Sequence, residues 1–538
     1  MTALNLFTGY NNPVNMVLIE EQIYTELALS NTKLAHENSR LEIENRLLRE
    51  RLLLVGKRLF MPSSEKLTLD QIKMLFDEIE ATAAPQEPEP ELETIAYTRR
   101  RGGQRTLDLS SLPVEEKHYT LSEAEQVCPK CEGQLHKMGE EVRQELKHTP
   151  AKLVLFKHIC AKYACRHCQN HEIKTPILTA PMPAPAFPGS LASPSLVANI
   201  LCLKYVLGVP LYRQEQDLQR RGVALSRQNL SNWALRGADL LLPLYRRLYA
   251  LLLKRAILHA DETEVQVLKE AGRSAENKSY MWLYRSGREG PPIALYEYQP
   301  TRAALHPQKF LSGFTGYLHV DGYAAYESVL NVKLVGCWAH ARRKFTDALS
   351  IVAKSVRDQG GTEAHTGLKF CQSLFKIERD LQDGTAEARF SGRLERSSVL
   401  LDKMHVWLLR AKEELLPKSS TGMAVSYCLN QWSKLVRFLE DGRLELDNNR
   451  SERSIKPFVI GRKNWLFSIT PKGATSSAMV YSLVETAKEN GLDPLVYLTY
   501  LFERLPNIDT RDLFELDKLL PWDVTVQSKF RPPTKTNR

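Results

Sequence analysis

The sequence ILHADETEV at residues 257–265 is an apolar run that predicts a β-strand carrying carboxylates, Asp261 among them. A second run, GYLHVDGY at 316–323, predicts another strand that ends at Asp321. A third acid, Glu452, opens the polar, helix-like sequence DNNRSER at 447–453. Because acidic residues are depleted in strands and costly to bury unpaired, these positions require a counter-charge. A divalent cation is a natural one, so we predict metal-dependent phosphodiester chemistry.

The segments around these acids predict an α/β core. One helix is expected at 301–311, together with strands at 256–267, 280–285, 293–298, 316–321 and 332–337. Three strands, a helix, a strand, and then another strand and helix form an order consistent with a ribonuclease-H-like fold. We assign this catalytic domain to 251–470, with a mostly helical insertion at 345–440, and expect a C-terminal helical segment and basic tail at 471–538.

The chain of 538 residues carries a formal charge of +10. Residues 74–98 hold seven acids and no Lys or Arg, so the remainder is more basic than the total suggests. Such a charge favours DNA through phosphate contacts and counterion release, although a solvated basic surface is the alternative. Neither a signal peptide nor a membrane-spanning run is evident, so we expect a cytoplasmic, nucleoid-associated protein.

A heptad pattern predicts a coiled-coil (zipper) helix at 18–60. Apolar residues recur every seven positions, and Asn occupies three of the facing a positions: Leu27, Leu34, Leu41, Leu48 and Val55, with Asn31, Asn38 and Asn45. This pattern favours a parallel homo-oligomer at some cost in stability, and an amphipathic helix packed within the chain is the alternative. A helix and an acidic, proline-rich linker are expected at 61–98.

The segment 99–180 is predicted to hold a structural zinc site. Four cysteines form two CxxC pairs whose thiolates can complete a tetrahedral site with no position open for catalysis: Cys128, Cys131, Cys165 and Cys168. Cys160 or His167 could serve as an alternative ligand. A basic run precedes this zinc-ribbon-like module and could either lie along DNA or form a solvated loop: Arg99, Arg100 and Arg101.

Residues 190–250 predict a helical DNA-binding domain. Helices are expected at 195–206 and 210–221, and Gly222 is a plausible end for the second. A third helix starts at the capping residue Ser226 and bears polar side chains on its opening turn: Arg227, Gln228 and Asn229. This arrangement suits helix-turn-helix docking in a major groove, and a generic helical hairpin is the alternative.

Two further groups of basic and aromatic residues are expected to contact the DNA backbone near the cut. The first group is Trp338, His340, Arg342, Arg343 and Lys344, and the second is Arg462, Lys463 and Trp465. The alternative is a helix with a solvated basic face plus tryptophans in the core. His340 could also bind metal, although a positioning role is favoured.

These motifs together resemble the DDE transposases of the insertion sequence sixty-six family. The resemblance covers most of the chain and rests on the zipper, SEKL at 64–67, the CxxC pairs, HADET at 259–263, HVDGY at 319–323, CWAHARRKF at 337–345, NNRSER at 448–453 and GRKNW at 461–465. Two features depart from it: FMPS at 60–63 stands where a Gly/Arg-rich segment is expected, and CEG at 131–133 replaces a Cys-Gly-Gly-like turn.

The resemblance implies a ribonuclease-H-like domain with Asp261, Asp321 and Glu452 as its catalytic triad. Two Mg²⁺ or Mn²⁺ ions would bind there, with Asp261 bridging both and the other two acids each completing one site. Water would free a 3′-OH at the terminal inverted repeat of an element, and that 3′-OH would attack target DNA. The family also suggests that accessory proteins of the same element assist.

Each acid has an alternative interpretation. Asp261 could be one of several solvated acids, and Asp321 could simply form a turn with Gly322. Glu452 could complete a capping box with Asn449, in a helix that Pro457 would end or kink.

If Glu452 only caps a helix, Glu445 or Glu485 would be the third ligand. Two other functions also remain open: a nuclease of the same fold that does not join strands, and a DNA-binding regulator whose triad has decayed.

Overall fold

The computed structural model describes residues 27–45, 47, 48, 153, 158, 162–164, 177–179, 183–351 and 360–531. Residues 27–45 are helical and their side chains are exposed, which agrees with a helix over this part of the predicted zipper. The linker at 61–98 lies outside the described residues. So do all the residues predicted for the zinc site and the preceding basic run: Cys128, Cys131, Cys160, Cys165, His167, Cys168, Arg99, Arg100 and Arg101.

Two short strands are described within the segment predicted to bind zinc. β1 (Lys162–Ala164) and β2 (Ile177–Thr179) pair antiparallel, with Tyr163 opposite Leu178. They belong to a compact unit separate from the one that holds residues 185–532.

A mixed six-stranded sheet organises the larger unit. Its strands are β3 (Ile257–Val267), β4 (Lys278–Ser286), β5 (Ala294–Gln299), β6 (Gly316–His319), β7 (Val332–Val335) and β8 (Phe467–Ser468). The order is β5-β4-β3-β6-β7; the first three strands are antiparallel, β6 and β7 continue parallel to β3, and β8 pairs with the far end of β3. The bounds of β3 to β7 lie within two residues of the predicted ones, whereas β8 was not predicted.

The register between β3 and β6 positions two of the predicted acids. Residues 257–260 of β3 are all buried, as expected of a strand covered on both faces. The parallel pairing sets His259 opposite His319. Asp261 and Asp321 each follow these histidines by two residues, so the sheet brings both acids to the same end of neighbouring strands.

Three helices precede the sheet: α1 (Pro194–Tyr205), α2 (Leu211–Arg220) and α3 (Arg227–Leu252). The Ser193 and Ser226 side chains accept backbone N–H groups of the first turns of α1 and α3, because a serine oxygen satisfies donors that have no partner within the helix. Gly222 follows α2 with φ +81°, the left-handed conformation expected at a helix end.

The segment after β5 is mostly helical. It contains α4 (Leu305–Phe310), α5 (Trp338–Ser350), α6 (Glu363–Asp380), α7 (Ala386–Gly392), α8 (Ser398–Glu414), α9 (Ser420–Asn430) and α10 (Trp432–Leu435). α5, α6, α8, α9 and α10 share a second hydrophobic core that includes Trp338, Phe345, Met404, Leu408 and Val425. The described residues of 345–440 are mostly helical, and their role as an insertion into the catalytic domain stays a prediction.

The chain closes with α11 (Asn449–Trp465), α12 (Pro471–Glu489), α13 (Pro494–Arg504), α14 (Leu513–Asp517) and α15 (Val524–Phe530). Residues of α1, α3, the sheet and these helices share one core, in which Tyr205 bonds to Ser477 at 3.1 Å. The segments predicted as three domains, 190–250, 251–470 and 471–538, are therefore packed around common apolar side chains. Within the described ranges, every helix is too short or too polar to cross a bilayer.

Candidate active site

The structure brings the three predicted acids together. Asp261 lies in β3, Asp321 follows β6, and Glu452 lies in the first turn of α11. Burial raises the pKa of Asp261 well above its usual range, and the nearby charges of Glu262, Asp321 and Glu452 raise it further. Clustered carboxylates of this kind repel one another unless a proton or a cation lies among them.

Local hydrogen bonds fix the first two carboxylates. Oδ1 of Asp261 accepts the Glu262 N–H at 2.8 Å, and Oδ1 of Asp321 accepts the Tyr323 N–H at 2.9 Å. Asp321 does form a turn with Gly322, whose φ of +98° favours glycine. The turn is compatible with a ligand role, because a carboxylate has a second oxygen.

Glu452 does not form a capping box. The backbone N–H of Asn449 is bonded to Asp447 at 3.0 Å, and that of Asn448, the N-cap residue, to the Cys337 sulfur at 3.2 Å. Glu452 Oε1 is instead buried and has no hydrogen-bond partner in the described part of the chain. Pro457 does not end this helix, because α11 continues to Trp465.

The two substitute acids are engaged elsewhere. Glu445 Oε1 accepts Arg288 Nε at 2.7 Å and Arg450 Nη2 at 2.9 Å. Glu485 is paired with Lys488 at 2.9 Å. Among these acids, Glu452 is thus the one with a free inward-facing oxygen.

His340 joins the acids from the first turn of α5. Its Nδ1 lies 3.8 Å from Glu452 Oε1, and Arg343 Nη2 lies 3.7 Å from Oε2 of the same carboxylate. Burial lowers the pKa of His340, although the charge of Glu452 opposes this shift. His340 Nδ1 is also buried without a hydrogen-bond partner among the described residues. Two unsatisfied ligand atoms that face each other fit a divalent cation well.

A buried polar network holds the start of α11 against β3. Asn448 Nδ2 donates to the Ala260 carbonyl at 2.9 Å, which leaves its Oδ1 to accept from His259 Nδ1 at 2.9 Å. The His259 and His319 rings stack at 4.3 Å, and His319 Nε2 accepts the Glu445 N–H at 3.3 Å.

His259, His319 and Asn448 were not predicted as site residues. One sequence feature could have identified the two histidines, because each of them precedes a predicted acid by two residues. The network positions Glu452, which lies one helical turn after Asn448, relative to the acid on β3.

The predicted DNA contact of Trp338 is wrong. Its side chain is fully buried, and its Nε1 donates to the Leu435 carbonyl at 2.8 Å. The ring meets Trp432 edge-on at 6.2 Å. Trp338 faces the second core because α5 turns its apolar stripe inward, and the polar stripe with Arg343 and Lys344 stays outside. Trp465 is half-buried and packs edge-on against Phe458 at 5.4 Å, so its contact with DNA stays a prediction.

The basic residues predicted beside the acids are placed where phosphates could reach them. Arg343 and Lys344 are exposed, and the Arg342 guanidinium lies over the Phe375 ring at 4.5 Å. Arg462 Nη1 lies 3.3 Å from the Thr263 hydroxyl on β3, and Lys463 is exposed. The polar side chains predicted to contact DNA on the opening turn of α3 are also exposed: Arg227, Gln228 and Asn229.

We expect Trp338→Ala to lower the free energy of unfolding by about 3–5 kcal/mol, because it removes a fully buried aromatic side chain. Arg343→Ala, five residues later on the exposed face, should leave stability nearly unchanged. It should instead weaken DNA binding and reduce the salt slope of the binding constant by about 1. Circular dichroism during thermal unfolding and DNA-binding titrations at several salt concentrations would measure both effects. Equal stability of the two variants would contradict the buried placement of Trp338.

Comparison with known proteins identifies the family. The model described as "Transposase IS66 family" matches residues 189–476, and that of the "IS66 C-terminal element" matches 482–522. The "zinc-finger binding domain of transposase IS66" matches 125–169, a segment that contains the four predicted zinc cysteines and supports a structural zinc there.

Similar proteins include two uncharacterized proteins of Sinorhizobium fredii. The protein y4jD is 33% identical over 410 residues, which cover 74% of this chain and 78% of the relative. The protein y4hP is 29% identical over 481 residues, which cover 85% and 84%. The family model extends over more than half of the chain and includes all three clustered acids, and the chain therefore belongs to the IS66 transposase family.

Proposed function

We propose that this protein is a DNA transposase that cuts the ends of an insertion sequence and joins the freed 3′-OH to target DNA. The observation that carries the proposal is the convergence of Asp261, Asp321 and Glu452 on one end of the sheet. Three antiparallel strands continued by two parallel strands support a ribonuclease-H-like core. Membership in a transposase family supports DNA as the substrate.

Asp261, Asp321 and Glu452 would hold Mg²⁺ or Mn²⁺. The unpartnered Oε1 of Glu452 and the mutual repulsion around Asp261 both fit such a group. When bound, the ions would activate the attacking oxygen and stabilise the leaving oxygen of the phosphodiester.

The residues around the acids would bind and align the DNA strand. Arg343 lies against Glu452, and Arg462 lies against β3, so each can meet a phosphate next to the bond that is cut. Arg302 stacks on the Tyr323 ring at 3.6 Å and pairs with Glu262, which holds a further positive charge beside Asp261. The Asn448 network fixes the acids relative to one another. Such positioning matters because catalytic groups must be held within about 0.5 Å of the productive geometry.

The remaining parts of the chain would recognise the element ends and assemble the complex. We propose that α2 and α3 form a helix-turn-helix-like unit, since the opening turn of α3 is exposed and Glu215 of α2 accepts its Arg227 N–H at 2.8 Å. The zipper would join copies of the chain, because the leucines spaced by seven are half-exposed: Leu27, Leu34, Leu41 and Leu48. Accessory proteins of the same element would act alongside it.

A strand-transfer assay tests this function. Labelled DNA carrying the terminal inverted repeats from the DNA that flanks the gene is incubated with the protein, target plasmid, and Mg²⁺ or Mn²⁺. We expect nicking at the element end followed by a joined product. Nicking without joining would favour a nuclease of the same fold. Binding to the ends without any cutting would favour a regulator with a decayed triad.

A further inference from the structure

We propose that His340 is a ligand, through Nδ1, of the divalent ion held at Glu452. This inference rests on the proposed function and adds a nitrogen ligand to a site otherwise built from carboxylates. A nitrogen ligand favours Mn²⁺ over Mg²⁺ at Glu452, because imidazole suits transition-metal ions whereas Mg²⁺ prefers oxygen ligands.

The distance between the two side chains supports a shared ion. His340 Nδ1 and Glu452 Oε1 are 3.8 Å apart, which is too far for a hydrogen bond. Metal–ligand bonds of about 2.0–2.2 Å place two ligands of one ion roughly 3–4 Å apart. The pair therefore has the spacing of neighbouring ligands rather than of a donor and its acceptor.

The unsatisfied state of both atoms gives the second line of support. Each is buried, and neither has a hydrogen-bond partner in the part of the chain that the structure describes. Buried polar atoms are rarely left unpaired, because removing them from water without giving them a partner is unfavourable. One cation between them would satisfy both atoms at once.

Hydrogen bonds between the starts of their two helices also hold His340 and Glu452 in place. Both residues lie in the first turns of α5 and α11, whose starts are joined by the bonds Asn448 N–H to Cys337 Sγ and Trp338 N–H to Leu446 O, both 3.2 Å. A ligand pair on two fixed helix starts is preorganised, as a metal site requires.

Two neighbouring groups do not replace His340 in this role. A ligand atom of Cys337 lies within 4.8 Å of the other two, but this fully buried sulfur already accepts the Asn448 N–H and joins the helix starts. Arg343 approaches the other carboxylate oxygen, Oε2, and its side chain is 58% exposed, so Oε1 remains directed at His340.

Electron spin echo envelope modulation of Mn²⁺ bound to the full chain tests this proposal. We expect nitrogen-14 modulation in the wild-type protein that disappears in His340→Ala. His340→Gln should retain the ion through its amide oxygen while losing the imidazole signal. His365→Ala is the matched control, because His365 is a half-buried histidine that is hydrogen-bonded to Thr362 in the helical insertion. It should keep the modulation.

Titrations of Mn²⁺ and Mg²⁺ give a second readout. In His340→Ala, Mn²⁺ affinity should fall by about tenfold or more, since even residues behind a metal ligand change affinity by that factor. Mg²⁺ affinity should change much less.

Bound Mn²⁺ with no nitrogen signal that depends on His340, or equal losses for both ions, would overturn the ligand assignment. The proposed function would survive that result, because Asp261→Asn would still abolish cleavage. If cleavage persisted in Asp261→Asn, the proposed function would fail first.

Discussion

Asp261→Asn is expected to reduce DNA cleavage by about a thousandfold or more while DNA binding stays intact. The substitution keeps the shape of the side chain and removes a negative charge that would help to hold the metal ions. Such ions contribute several kcal/mol to transition-state stabilisation, and about 1.4 kcal/mol corresponds to tenfold in rate. Cleavage of labelled element ends and DNA-binding titrations, both in Mg²⁺ and in Mn²⁺, would measure the two properties separately.

The same variant should be more stable than the wild-type protein when no divalent ion is present. Asp261 is half-buried among Glu262, Asp321 and Glu452, so a neutral amide relieves charge repulsion that the folded state otherwise contains. Thermal unfolding in a chelating buffer should show a higher midpoint, and added Mn²⁺ should raise that midpoint less than in the wild-type protein. Function and stability oppose each other at this position, as they often do at active sites.

Glu264→Gln is the matched control on the same strand. Glu264 is exposed and pairs with Lys278 across the neighbouring strand, so its loss should change neither cleavage nor metal binding. Exposed pairs of this kind contribute little to stability. Unchanged cleavage in Asp261→Asn, or equal losses in both variants, would refute the role assigned to Asp261.

The sequence predicted the strands well because local patterns determine them. The apolar run of β3 and the turn after Asp321 can be recognised without any knowledge of the partner strands. The register cannot, since it depends on which residue of β6 lies beside His259, and that pairing joins positions sixty residues apart. The Asn448 bonds to His259 and Ala260 are more distant still in sequence, so the role of Asn448 was not predicted.

The basic run at 337–345 shows why the candidate site was only partly predicted. Charge and an aromatic ring suggested a DNA-binding surface, but a helix has an inner and an outer face. Which face holds Trp338 depends on the second core, formed by helices up to a hundred residues away. The same orientation turns His340 toward Glu452, a contact that spacing along the chain does not reveal.

Glu452→Gln should strongly reduce cleavage with little effect on folding stability. Glu445→Gln should instead lower the folding stability and change cleavage per folded molecule much less. Glu452 Oε1 has no hydrogen-bond partner among the residues described, so an amide there disrupts no existing bond. Loss of the ligand charge should reduce cleavage by about a hundredfold or more, as for other groups that act on the transition state. Removing the charge of Glu452 should also weaken Mn²⁺ binding, which a titration would detect.

Glu445 instead stabilises the fold, because it is buried and forms ion pairs with Arg288 and Arg450. Breaking a fully buried ion pair costs about 3–5 kcal/mol, and Arg288 is 40% exposed, so the loss in Glu445→Gln should be smaller but measurable. Thermal unfolding together with cleavage per folded molecule separates the two effects. A folded Glu445→Gln protein without cleavage, beside an active Glu452→Gln protein, would make Glu445 the third ligand. The surroundings of the two carboxylates argue for the reverse, since Glu445 is bonded to arginines, whereas Glu452 faces His340 and lies close enough for its charge to raise the pKa of Asp261.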